Sequence, residues 1–119
     1  MSAAPILNPD AIQALRDLSP EGDGEFLREL ITIYLTDTPK LMAQLQEGLE
    51  RKDAVVALRA AHTIKGSSGN FGADEFAAMA RQIESAAKSG DLPAAAALMP
   101  EFQTRFEKVV VALKALAGP

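Results

Sequence analysis

The chain has a single histidine, His62, set in the stretch Ala61-His62-Thr63-Ile64-Lys65-Gly66-Ser67-Ser68-Gly69-Asn70-Phe71-Gly72. A helix turns about 100° per residue, which brings Lys65, Gly66 and Gly69 within roughly 60° of His62. Ala57, Ala61, Ile64, Ser68 and Phe71 fall together well away from it. The imidazole is therefore read onto an outer face, with one ammonium and two residues without side chains around it. A nucleophile that must carry a dianion and be approached closely by another protein has these requirements, so the pattern points to phosphoryl transfer.

The bland alternative is that a lone helical histidine is an ordinary surface or core residue. Burial does not explain His62, because the Ile64 and Phe71 stripe is on the other side. A solvated lysine would look like Lys65, and Gly69 would serve equally well as a helix-ending residue. Gly66 is harder to dismiss, since it precedes the helix end and a glycine there costs about 1 kcal/mol relative to alanine. Val55, Leu58 and Arg59 precede His62 on its side and, with Gly69, are candidates for docking a partner. The alternative for the two apolar residues is packing under a neighbouring element. Ser68 reads as a small residue for close packing and Ser67 as exposed, with no arrangement suggesting a hydroxyl nucleophile.

The elements that hold these residues follow from composition and punctuation. In 119 residues, 48% are hydrophobic and only 5% aromatic, with alanine and leucine prominent. That favours one all-helical domain, 1–119, with frayed ends at 1–5 and 118–119. The Met start and the Gly118-Pro119 end suit a complete small protein and equally a domain cut from a longer one. A net charge of −4 and a pI near 4.9 argue against nucleic-acid binding. No apolar run approaches the length of a membrane span and no secretory signal opens the chain, so the reading is a cytoplasmic protein. With no Cys and one His, thiol chemistry is excluded and neither a metal site nor a cofactor is expected.

Five helices are predicted. Asn8-Pro9 caps a short one with Ile12, Leu15 and Leu18 as its stripe, ending at Ser19-Pro20. After Glu21-Gly22-Asp23-Gly24 a long helix carries Phe26, Leu27, Leu30, Ile33, Tyr34, Leu41, Leu45 and Leu49, with a bend near Thr36 to Thr38 imposed by Pro39. Asp53 caps a third, from Ala54 to about Gly69, which carries His62. A fourth runs from Asp74 to Gly90. A fifth follows Asp91, with Pro93 in its first turn and Pro100 bending or splitting it. Four long amphipathic helices with short connections imply an antiparallel four-helix bundle with an additional N-terminal helix.

The stretch around His62 resembles the signature of histidine phosphotransfer (HPt) domains of multistep two-component phosphorelays, and the similarity extends to the proline-bent helix before it and to Ala80-Arg81-Gln82-Ile83-Glu84 after it. The resemblance implies that His62 is phosphorylated by a receiver-domain aspartate and returns the group to another receiver. Lys65 would face the phosphoryl group, Gly66 would give the receiver access, and Glu84 would hold the other imidazole nitrogen. Gln82 is a weaker candidate for that last role, and an exposed Glu84–Lys88 pair is the alternative use of Glu84. The partners implied are response-regulator receivers and a hybrid sensor kinase, the chain acting as a monomeric carrier and not as an enzyme. Mg²⁺ would belong to the receiver. The rival function is a helical adaptor that binds a signalling partner without being phosphorylated.

Overall fold

The computed structural model describes residues 5–19 and 24–118, and the turn read from Pro20 to Asp23 and the ends 1–4 and 119 lie outside them. Five helices follow one another: α1 Pro9–Asp17, α2 Glu25–Glu50, α3 Ala54–Asn70, α4 Asp74–Lys88 and α5 Leu92–Ala117. Asn8 caps α1 by accepting from the Asp10 amide, Asp53 caps α3 at Val56, and Asp91 caps α5 at Ala94. At α4 the cap position is Ala73, and Asp74 opens the first turn, where its charge favours the helix dipole.

Two sequence expectations change here. Pro100 does not split α5, whereas Pro39, as expected, does not stop α2. Each proline is exposed and removes one hydrogen bond, while the buried residues before and after it, Thr38 and Met42 on α2 and Met99 and Phe102 on α5, keep the helix packed through that point. Gly69 does not end α3 either; it remains helical, and the left-handed residue is Gly72 at φ 68°. Gly72 is confined on a second count, since a Cβ there would stand 2.8 Å from the Asn8 nitrogen. The Asn8 amide donates to the Gly72 carbonyl at 2.8 Å, tying the start of α1 to the end of the helix that carries His62.

Short connections make α2 to α5 run alternately up and down, with α3 packed between α2 and α4 and α5 closing the bundle against α4 and α2. α3 meets both neighbours through small side chains, Ala57, Ala60, Ala61 and Ser68, all buried. Opposite them Gly48 of α2 is so close that a Cβ would approach the Ala57 nitrogen to 2.9 Å. Larger groups fill the centre: Phe76 stacks on Phe102 at 4.3 Å between ring centres, and Tyr34 meets Phe71 edge-on at 5.3 Å. Leu18, Phe26 and Ile33, placed on apolar stripes by their spacing, are exposed: Leu18 follows the end of α1, and the α2 stripe is wider than the surface its neighbours cover.

The buried hydroxyl of Tyr34 shares a 2.7 Å hydrogen bond with Ser68 Oγ, and Thr38 lies beside it. Burial pushes the Tyr34 phenol up to about 12 against the opposing effect of these hydroxyls, so the ring stays neutral and pins α2 to α3. Ser68 thus contributes a polar tie as well as small size. Tyr34→Phe leaves the Ser68 hydroxyl buried without this partner and is expected to lower unfolding free energy by about 1–3 kcal/mol in chemical denaturation, with helical content unchanged.

Candidate functional site

α3 divides into two faces. Ala57, Ala60, Ala61, Ile64 and Ser68 enter the core, which rotates His62 to solvent with 67% of its side chain exposed. Lys65 lies on the edge toward α4 and is half-buried. Gly66 and Gly69 are exposed on the His62 side, and a Cβ on either would meet nothing within 4 Å. Neither glycine has a left-handed φ. The fold itself therefore requires glycine at neither position, although each weakens the helix by about 1 kcal/mol relative to alanine.

Glu84 enters from α4. The buried residues Phe76, Ala80, Ile83 and Ala87 set the rotation of that helix and leave Glu84 at the border facing α3, only 17% exposed. Its two oxygens are used separately. Oε2 lies 2.6 Å from His62 Nδ1 and Oε1 lies 2.7 Å from Lys65 Nζ. Partial burial alone would favour the neutral acid, but hydrogen bonds and charge from Lys65 and His62 outweigh it and hold the Glu84 carboxyl below its ordinary value. An ionised carboxylate can only accept, so Nδ1 carries the proton. In the neutral form of the ring the lone pair is then on Nε2.

The structure therefore brings His62, Lys65 and Glu84 together, and Glu84 is not paired with Lys88. Gln82 points elsewhere: it is exposed and more than a quarter-turn from the α3 edge by helical spacing. Lys65 differs from its sequence reading in one respect. Its ammonium is already engaged by Glu84, so charge compensation by Lys65 and ring orientation by Glu84 pass through one carboxylate. Helical spacing within α3 gives no sign of that link, because the shared partner comes from another helix.

Of the docking candidates, Val55 is 55% exposed and Arg59 is exposed, whereas Leu58 is half-buried against the core and Ser67, read as exposed, is half-buried too. A groove of about 190 Å³ between α2 and α3 went unread in the sequence. Leu30, Ile33, Leu41 and Phe71 line it, and it opens beside Thr63, the residue after the histidine. The one available signal was an α2 stripe too wide for a single contact. Among the described residues no group of His, Asp and Glu could hold a metal ion, and no helix is long and apolar enough to cross a membrane.

Comparison with known proteins bears on the family and the fold. The family model described as "Hpt domain" matches residues 29–114, which span α2 through most of α5 and include His62, Lys65 and Glu84. The chain is 32% identical over 89 residues to the phosphorelay intermediate protein rdeA of Dictyostelium discoideum, covering 75% of this chain and 35% of that protein. It thus spans about a third of that relative's length. It is also similar to the crystal structure of histidine-containing phosphotransfer protein B from Pseudomonas aeruginosa PAO1, with a TM-score of 0.87, 26% identity, and coverage of 97% of this chain and 96% of the other.

The shared carboxylate makes a quantitative claim. In a double-mutant cycle of Lys65→Ala and Glu84→Ala, unfolding free energies at neutral pH are expected to be non-additive by about 0.5 kcal/mol or more. Because the folded-state value of Glu84 is depressed, its pairing is present above the ordinary 4.5 and is lost as pH falls through the lower folded value. The coupling should therefore shrink toward zero in acid, and a pH-independent coupling would contradict the geometry.

Proposed function

The chain belongs to the Hpt-domain family of histidine phosphotransfer proteins, and from that premise we propose that His62 Nε2 is the atom that accepts and returns the phosphoryl group, with receiver-domain aspartates as donor and acceptor. One observation carries the assignment: the 2.6 Å contact of Nδ1 with Glu84, which leaves Nε2 as the free, outward nitrogen. In the forward step the Nε2–P bond forms as the aspartyl O–P bond breaks, and the donor carboxylate leaves. Positive charge that develops on the ring is offset by Glu84, which keeps hold of the Nδ1 proton. Reversal of the same step passes the group on. Glu84 acts through the imidazole and is a positioning residue.

Lys65 stabilises the ionised form of Glu84 and stands close enough to the imidazole to compensate phosphoryl charge once it is present. Gly66 and Gly69 leave the approach to Nε2 open to a partner backbone. Val55 and Arg59, with the α2/α3 groove beside Thr63, offer the apolar and polar contact that docking needs. The chain carries phosphate and does not turn over substrate alone; the receiver supplies its own Mg²⁺ and acidic pocket. A cytoplasmic, monomeric protein that meets receivers and a sensor kinase is the setting this reading requires. An adaptor that never carries phosphate would have no use for an uncovered Nε2 opposite an Nδ1 held by a carboxylate.

The decisive experiment incubates the chain with a panel of phosphorylated receiver domains and follows label transfer. His62→Gln is expected to abolish acid-labile, base-stable labelling with the helical spectrum unchanged; label retained in this variant would move the chemistry to another residue. Gly66→Gln is expected to raise unfolding free energy by up to about 1 kcal/mol, since a helix disfavours glycine, and yet to slow transfer severely. Normal transfer in that variant would remove the argument from close approach.

A further inference from the structure

The surface of this acidic chain is unevenly charged. Of its 16 acidic residues, none lies from Ala54 to Ala73, so α3 has only Arg59, His62 and Lys65 as ionisable side chains. On α4, Arg81 and Lys88 stand one turn to either side of Glu84. Helical spacing puts both within about 60° of Glu84, on the side away from the Phe76, Ala80, Ile83 and Ala87 stripe. Because His62 and Lys65 both meet Glu84 and the helices are antiparallel, Lys65 is at the level of Arg81 and Arg59 at the level of Lys88. Four cations thus flank the imidazole.

Three of them are uncommitted. Arg59, Arg81 and Lys88 are exposed, and their side chains make no hydrogen bond or ion pair among the described residues. Elsewhere Arg51 is paired with Glu47 and Arg105 with Glu75 and Glu101, while Lys40, Lys52, Lys108 and Lys114 have no ion pair among the described residues either; what sets the His62 face apart is the absence of acids from α3. Nearby acids are occupied: Glu84 by His62 and Lys65, and Asp53 and Asp91 by the backbone amides they cap. Asp74, in the first turn of α4, and Asp37, across the α2/α3 groove, mark where the basic surface stops.

We propose that Arg59, Arg81 and Lys88 form an electrostatic docking rim that steers a compact acidic patch of a partner protein onto the His62 face. Unpaired like charges gathered on one face repel one another slightly in the free chain, and an anionic surface relieves that repulsion while speeding encounter. The occupant is a protein and not a polynucleotide, because an extended polyanion leaving the rim toward α1 and α2 would meet helices with more acids than bases. The proposal rests on phosphotransfer at His62 only for the kinetic half of its test.

In the first half, the isotope-labelled chain is titrated with poly-L-glutamate at low ionic strength and its amide resonances are followed. Shifts should concentrate around Arg59, His62, Arg81 and Lys88 and vanish at roughly 0.5 M salt, where the screening length is only a few ångströms. No shifts, shifts spread over α2 and α5, or equal shifts from a DNA duplex at matched charge would each overturn the rim. In the second half, label transfer to His62 is timed with a receiver from the panel. Arg81→Glu with Lys88→Glu should slow second-order transfer about tenfold at low salt and flatten its salt dependence, while Lys108→Glu with Lys114→Glu, the same charge change on α5, stays within about twofold. Equal slowing by both pairs would assign the effect to net charge and overturn the rim. If no receiver labels the wild-type chain, the phosphotransfer reading fails, and the polyglutamate titration still decides the rim.

Discussion

One carboxylate organises the exposed face of this bundle. Glu84 is held at the α3/α4 boundary by four buried neighbours on its own helix, and its two oxygens divide between His62 and Lys65. Exposed ion pairs contribute little to stability, since solvent screens them and long side chains lose freedom in making them. The value of this one is directional. It fixes the tautomer of an imidazole that is otherwise free in solvent, and fixing it from a packed helix leaves the opposite nitrogen bare.

That arrangement requires α3 to be held firmly while one of its faces stays unprotected. The packed side uses alanines and a buried serine, which let α2 and α4 approach closely enough for Glu84 to reach across. The Tyr34–Ser68 hydrogen bond and the contact of Tyr34 with Phe71 secure the C-terminal half of α3, and the Asn8–Gly72 bond adds the first helix to the same anchor. On the open side Gly66 and Gly69 weaken a helix that the packed side can afford to have weakened. The opposition between local propensity and tertiary support is what marks the surface as functional.

Charge follows the same division. α3 contains no acid, while the rest of the chain keeps it acidic overall. Apolar contact is arranged on the other flank of the histidine, in the groove with Ile33 and Leu41. A partner approaching His62 therefore meets basic residues toward α4 and an apolar trough toward α2. Such asymmetry sets orientation as well as affinity.

The residue pattern alone determined the helical class, the order of the five helices, the caps at Asn8 and Asp53, and the outward direction of His62, because capping and 3.6-residue periodicity are local properties. It also located Gly66 as a glycine without a local reason. The resemblance to the family, and not the spacing, selected Glu84 from α4, since nothing within a helix says which residue of another helix lies opposite. Only the tertiary structure decided that Lys65 and His62 share that carboxylate, that Ile33 is part of an open groove, that Ser68 bonds to Tyr34, and that Pro100 leaves α5 whole. Each of these depends on how two helices are rotated against each other, and that rotation is set by the packing of the whole core.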